Sequence, residues 1–248
     1  MCFLTAKPRR ATYCLIHYNI KKCKFQHVIA FFYCLNRKNM VYLCKNISSR
    51  ERERKDIEMA KLYFKYGAMG SSKTANALIT KFNYEERGMK VWLIKPSIDD
   101  RNGVGKVHSR IGIEAEAFVV APDTDLVAEF EARKDTHAVI ADECQFFTSE
   151  QIDQLRYIVD EYDVPVLCFG LRTDFLTRLF EGSKRLFEVA DSINEVKTIC
   201  ACGKKAIVNA RIDGEGKVLT EGGQILIGGN DSYVAMCHSC WKRAAGKK

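Results

Sequence analysis

The sequence predicts an α/β fold: a parallel sheet with helices on both faces, followed by a small β-hairpin domain tied at its base by cysteines. Three observations predict it. Short, wholly apolar runs alternate with stretches of helical period from residue 59 to about residue 197, and strands apolar on both faces belong to sheets covered on both sides. The stretch Lys61–Thr74, KLYFKYGAMGSSKT, passes from such a strand through a glycine turn to a lysine followed by a hydroxyl residue. That is the layout G-x-x-x-x-G-K-[ST] of a phosphate-binding loop opening a helix. Residues 200–240 then abandon the alternation for two close cysteine pairs set around turn-rich, strand-like sequence.

The first 58 residues stand apart from this pattern. They hold 13 Lys/Arg and 4 Asp/Glu, against 26 and 27 in residues 59–248. The formal net charge of +8 therefore belongs to the first quarter of the chain. Five of the eleven cysteines (Cys2, Cys14, Cys23, Cys34, Cys44) also lie there, with no steady hydrophobic period. The segment reads as a basic arm or transit-type extension, or as sequence that is disordered or not translated in the working protein. Arg50–Glu58, RERERKDIE, can be encoded by almost pure purine codons. Purine-rich RNA just upstream of Met59 is what a bacterial ribosome-binding site looks like, so translation is expected to start at Met59. No run reaches the ~18 apolar residues that span a bilayer, and no signal peptide of the usual form is present. A cytoplasmic protein with no membrane partner is expected, with cysteines read as metal ligands before disulfides.

From Met59 the elements follow in order. Leu62–Tyr66 is a short strand. Ser72–Arg87 carries Ala75, Leu78, Ile79 and Phe82 at helical spacing, and Gly88 is placed to end the helix. Val91–Ile94, Ala117–Val120, Ala138–Ala141 and Val166–Phe169 are further strands, the first stopped by Pro96. Asp125–Lys134 and Ser149–Tyr162 are helices between them, the second capped by Thr148 or Ser149. The domain boundaries read as 59–197 for the α/β part, 198–242 for the cysteine-tied part and 243–248 for a tail. Within the second part, Lys205–Ile212 and Val218–Ile227 read as the two strands of a hairpin.

Three constellations carry chemistry. The amides ahead of Lys73 sit at a helix N-terminus, where unpaired N–H groups and the helix dipole attract phosphate. Lys73 would reach the outer phosphates and Thr74 would offer its hydroxyl to Mg²⁺. Ser72 stands where the second glycine of the pattern belongs, and a positive φ there would cost a serine on the order of 1–2 kcal/mol. In HAVIADECQFF, residues 137–147, a buried strand ends in Asp142-Glu143. Paired with a phosphate loop, the first carboxylate would bind Mg²⁺ and the second would accept the proton of an attacking hydroxyl. Cys200, Cys202, Cys237 and Cys240 suit a structural tetrahedral Zn²⁺, although the C-x-C pair is tighter than the usual C-x2-C. His238 is an alternative ligand. Cys144 and Cys168 follow strands and read as core.

Composition leaves three function classes: a phosphotransferase, a zinc-ribbon ATPase acting on nucleic acid, and a non-catalytic nucleotide-binding regulator. The near-neutral charge of residues 59–248 disfavours nucleic acid, whose phosphate backbone needs clustered Lys/Arg.

The motifs GAMGSSKT, KPSIDDR, SRIG, DECQFF, GLRTDF, the four cysteines and IGGNDSY, in that order over about residues 60–242, resemble type II thymidine kinase in its bacterial form. Residues 1–58 have no counterpart in that family. The resemblance implies a RecA-like phosphate-loop kinase that transfers the γ-phosphate of ATP to the 5′-hydroxyl of thymidine, with Mg²⁺ and a structural Zn²⁺. It implies ATP phosphates on Gly67, Ala68, Met69, Gly70, Ser71, Ser72, Lys73 and Thr74. Asp99, Asp100, Arg101, Asp142, Glu143, Cys144 and Gln145 would complete that region. Glu143 matches the catalytic base, and Phe146 the aromatic packed on thymine. Leu171, Phe175 and Phe180 fall on the rest of the pocket. Gln224, Ile225, Leu226, Ile227, Gly228 and Tyr233 fall on a zinc-tied lasso whose main chain reads the base. A homotetramer inhibited by its end product dTTP is implied as well.

Overall fold

The apolar runs condense into six strands of one sheet. The computed structural model describes residues 59–99, 103, 105–226 and 232–246. The expectations for residues 1–58, including the start at Met59, and those for Asp100, Arg101, Ile227 and Gly228 lie outside the described residues. In order, the elements are β1 (Leu62–Tyr66), α1 (Lys73–Glu85), β2 (Val91–Pro96), β3 (Lys106–His108), β4 (Glu114–Glu116), β5 (Phe118–Val120), α2 (Leu126–Glu131) and β6 (Ala138–Ala141). A 3₁₀ turn (Cys144–Phe146) follows, then α3 (Ser149–Tyr162), β7 (Val166–Gly170), α4 (Glu181–Val189) and β8 (Ser192–Glu195). The chain closes with β9 (Thr198–Ile199), β10 (Lys205–Ala206), β11 (Val208–Arg211), β12 (Tyr233–Met236) and α5 (His238–Ala244).

The main sheet has the order β5-β2-β6-β7-β1-β8, and every pairing in it is parallel. Alternate residues of each strand face opposite ways. Leu62, Phe64, Trp92, Ile94, Val139, Ala141, Val166 and Cys168 pack with Leu126, Phe130, Ile152, Leu155 and Leu186 of α2, α3 and α4. Leu93, Ile140, Leu167 and Phe169 pack on the other face with Ala77 and Leu78 of α1. Each fully buried aliphatic side chain contributes about 1.5–3 kcal/mol, so the two-sided burial of these runs is what holds the strands parallel.

Caps set the helix limits. Thr148 and Gln151 form a reciprocal capping box at the start of α3. Gly88, at φ +75°, ends α1, and Met89 N–H closes back on the Tyr84 carbonyl at 3.1 Å.

The sequence reading missed β3, β4, α4, β8, β9, β12 and α5. The first two are three-residue strands whose faces are charged, and β8 is a half-exposed edge strand reading SerIleAsnGlu; none of these three carries an apolar run. The expected strand Lys205–Ile212 is broken at Ile207, so that β10 pairs with β9 and β11 with β12. Over residues 218–226 the expected second strand is reduced to one bridge, Ile212 to Val218. The partner of β11 is Tyr233–Met236 instead, in antiparallel register from Val208–Met236 to Arg211–Tyr233. Gly222 at φ +127° and Gly223 turn the intervening segment away from the ladder. Residues 243 and 244, expected in the tail, complete α5. Among the described residues no helix is long and apolar enough to cross a membrane.

Candidate active site

The phosphate loop leaves the carboxyl end of β1 and the Asp142-Glu143 pair leaves the carboxyl end of β6. These strands are not neighbours, because β7 lies between them. At about 4.8 Å per strand the two loops start roughly 10 Å apart. Gly170 at the end of β7 lets them converge. A Cβ there would lie 2.6 Å from Cys144 Sγ and 2.7 Å from Gln145 Oε1, so any side chain would push the DECQF segment off the strand end. Gly170 also accepts the Gly67 N–H at 3.2 Å. Gly67 is required for the same steric reason: its Cβ would meet the Val196 carbonyl at 2.3 Å.

Ser72 is the N-cap of α1 and takes φ 60°, ψ 28°, the left-handed conformation. The loop thus adopts the shape that the missing glycine would supply without strain. Serine normally caps a helix from extended backbone by accepting a hydrogen bond on its side chain. Ser72 does neither, since its hydroxyl makes no capping bond. Lys73 is buried, and its Nζ donates to the Ala68 carbonyl at 3.0 Å and to Ser71 Oγ at 3.4 Å. Desolvation pulls its pKa below the ordinary lysine value, against the attraction of Glu143 and Asp142.

Asp142 is buried, and burial, reinforced by the neighbouring Glu143 charge, raises its pKa to about 7, while a hydrogen bond with Thr74 works the other way. Glu143 has left-handed backbone, φ 51° and ψ 36°. That unusual geometry ends β6 abruptly and turns the Glu143 side chain into the cleft. Gln145, 1% exposed, donates from Nε2 to Glu143 Oε2 at 2.6 Å and accepts the Leu171 N–H on Oε1 at 2.9 Å. Gln145, expected in the region of the phosphates, also ties the carboxylate of Glu143 to the end of β7 through its amide.

These groups share one cleft of about 560 Å³. Of the expected residues, Met69, Gly70, Ser72, Lys73, Thr74, Asp99, Asp142, Glu143, Gln145, Phe146, Leu171, Phe175, Phe180, Gln224, Ile225, Leu226 and Tyr233 line it. Gly67, Ala68 and Ser71 belong to the loop without lining the cleft, and Ala68 and Ser71 accept from Lys73. Cys144 does not reach the cleft; its side chain is fully buried in the core, hydrogen-bonded with Cys168. Asp99 is held at 3.6 Å from the buried Lys95. Phe146 and Phe180 meet edge to face, with centroids 5.6 Å apart, and Phe175 is buried behind them.

The residues that organise the lasso carry no sequence signal. Arg211, 5% exposed, lies with its guanidinium 3.9 Å from the Phe175 ring centroid. It donates to the Gly223 carbonyl at 2.9 Å and the Tyr233 hydroxyl at 2.8 Å. Tyr233 passes its own proton to the Leu226 carbonyl at 2.9 Å. Asp174 accepts from Gln224 Nε2 at 3.2 Å. Arg211 and Asp174 sit in an alternating strand and a turn, where a lone charge reads as surface.

At the base of the lasso the sulfurs of Cys200, Cys202, Cys237 and Cys240 all lie within 4.8 Å of one another. Cys202 and Cys237 are 3.6 Å apart at sulfur, too far for a disulfide at ~2.05 Å and close to the edge of a tetrahedron with Zn–S of about 2.3 Å. Backbone N–H groups of Cys202 and Cys237 lower the Cys200 pKa to about 6, whereas that of Cys240 is raised to about 11, so the fit to a metal rests on the spacing of the sulfurs. The donor set therefore fits zinc despite the C-x-C spacing.

A phosphate loop, a strand-end Asp-Glu pair and an aromatic-walled pocket under a cysteine-clasped flap define a nucleotide-dependent small-molecule kinase. The chain belongs to the thymidine kinase family, whose model matches residues 60–241. It is 50% identical over 192 residues to a thymidine kinase of Vibrio cholerae, covering 76% of this chain and 100% of the relative. Identity with the thymidine kinase of Shewanella oneidensis is 52% over 182 residues, 72% of this chain and 95% of the relative. With that of Enterobacteria phage T4 it is 48% over 192 residues, 76% of this chain and 99% of the relative.

Two expectations follow from this geometry. Ser72→Gly relieves the left-handed strain and raises stability by about 1 kcal/mol, a rise of roughly 2–4 °C in thermal midpoint for a chain of this size; an unchanged or lower midpoint contradicts the strain. The raised pKa of Asp142 means that its contribution to stability is full below the unfolded value of about 3.9 and is lost as pH rises through about 7. In ligand-free protein, Asp142→Asn therefore melts above the parent chain at pH 8, and the gap closes by pH 4. A gap independent of pH contradicts the assignment.

Proposed function

We propose that this chain transfers the γ-phosphoryl group of ATP to the 5′-hydroxyl of thymidine. The observation that carries the reading is that the phosphate loop and Glu143 open into the same cleft as Phe146, Phe175 and Phe180. Family membership supplies the substrate class. A triphosphate arriving at the loop amides competes with Ala68 and Ser71 for the Lys73 ammonium, and gives that buried cation a counter-charge. Phosphoryl transfer passes through a transition state that needs positioning and charge neutralisation more than covalent help. Lys73 and the loop amides supply these on the donor side. On the acceptor side Glu143, braced by Gln145, takes the proton of the attacking hydroxyl. Phe146 and Phe180 offer faces for the thymine ring, a stacking contact of roughly 1–3 kcal/mol. Tyr233 and Arg211 hold the lasso segment against that pocket so that main-chain groups around residues 224–226 read the base edge.

Thr74 and Asp142 would hold Mg²⁺, which when bound neutralises phosphate charge. The four cysteines would hold Zn²⁺, which clasps the base of the lasso. Asp142 with its pKa near 7 becomes the better metal ligand as it ionises. Inhibition by dTTP, a homotetrameric assembly and a cytoplasmic location are part of the same reading and rest on family membership alone.

The decisive assay follows label from γ-labelled ATP onto thymidine; no label on thymidine refutes the reading. With Glu143→Gln, kcat falls about 10²-fold or more, while ATP affinity changes little; an unaffected kcat removes Glu143 as the base. Elemental analysis of the purified chain should find one zinc per chain, and Cys237→Ser should lose it together with the protease resistance of residues 198–246. Full resistance without metal would remove zinc from its structural role.

A further inference from the structure

Asn209 lies in the middle of β11 and is 3% exposed. Its Oδ1 accepts the Met69 N–H at 2.7 Å, and its Nδ2 donates to the Thr173 carbonyl at 3.2 Å. The chemistry of the two partners, a backbone donor and a backbone acceptor, fixes which way the amide points. Met69 belongs to the phosphate loop. Thr173 begins the turn after β7 that carries Asp174 and Phe175. One side chain thus bridges the donor loop and the acceptor pocket, from a strand that belongs to neither.

Two residues along, on the same face of β11, Arg211 grips the lasso through the Gly223 carbonyl and packs over Phe175. The strand is tied to the rest of its sheet by the ladder with β12. Asn209 and the strand therefore form a continuous chain of contacts from the phosphate loop to the turn bearing Phe175 and to the flap over the pocket. Nothing softer intervenes: the amide is buried, both of its ends are used, and breaking either bond leaves a buried polar group unpaired.

We propose that Asn209 is a positioning residue that couples the two substrate sites, so that filling the ATP site tightens binding at the thymidine site and the reverse. This rests on the thymidine kinase reading above. Coupling between sites is reciprocal, and factors of about 5–150 are typical. It adds a stereochemical route by which the acceptor pocket forms when the donor is in place, which would limit idle hydrolysis of ATP.

The test is calorimetric titration of the full chain, with Mg²⁺, by a non-hydrolysable ATP analogue in the absence and presence of saturating thymidine. The parent chain should bind the analogue at least about 5-fold tighter with thymidine present. Asn209→Leu, similar in volume and without hydrogen bonds, should bring the ratio close to 1. Asn209→Asp keeps an acceptor for Met69 but loses the donor to Thr173, and should lose the ratio too; it decides the matter if the leucine variant does not fold. A ratio of 1 in the parent chain, or a parent-like ratio in the folded variants whatever their melting points, overturns the proposal. Failure of the parent chain to label thymidine would instead refute the functional reading, so the two failures are distinct.

Discussion

The site is organised by a charge problem. Lys73 is buried beside Asp142 and Glu143, and neither Lys73 nor Asp142 keeps the pKa it has in water. Taking such groups out of solvent is expensive unless they are paired. Here the lysine is turned back onto the carbonyl of its own loop, and Asp142 is hydrogen-bonded with Thr74. An arrangement of this kind is poised for a polyanion with a divalent cation, which would satisfy both signs at once. The surrounding fold serves to hold these groups at that separation: a two-faced apolar sheet, the bare end of β7 at Gly170, and the left-handed corners at Ser72 and Glu143.

That frame also explains the legibility of the sequence. The parallel sheet was visible because β1, β2, β6 and β7 are buried on both faces and so read as unbroken apolar runs. The phosphate loop and the Asp-Glu pair were visible because their chemistry needs fixed residue types at fixed points on those strands. The edge strand β8 and the hairpin β3–β4 were hidden, since elements exposed on one side or very short carry no run to detect. The expected strand over residues 218–227 shows the converse error. Ile225 and Leu226 line a pocket rather than a ladder, and Gly222 and Gly223 were the only warning.

In the site, the motifs named many of the residues that line the cleft, and they also swept in a neighbour. Cys144 lies between two cleft residues in sequence, but it opens the 3₁₀ turn with its thiol in the core, hydrogen-bonded with Cys168. Missing from the sequence reading were Gln145 as a brace, Arg211 as a clasp and Asn209 as a bridge. Each acts on backbone groups brought near by folding over 12–140 positions of sequence, and no local pattern announces such a partner.

Ser72 has a further consequence in the language of genetics. Glycine codons and the AGY codons of serine differ by a single base, so wherever an AGY codon specifies Ser72 the relaxed form of this loop lies one point mutation away. The strained corner is thus a place where a single nucleotide of the gene can change the stability of the fold, through one backbone dihedral.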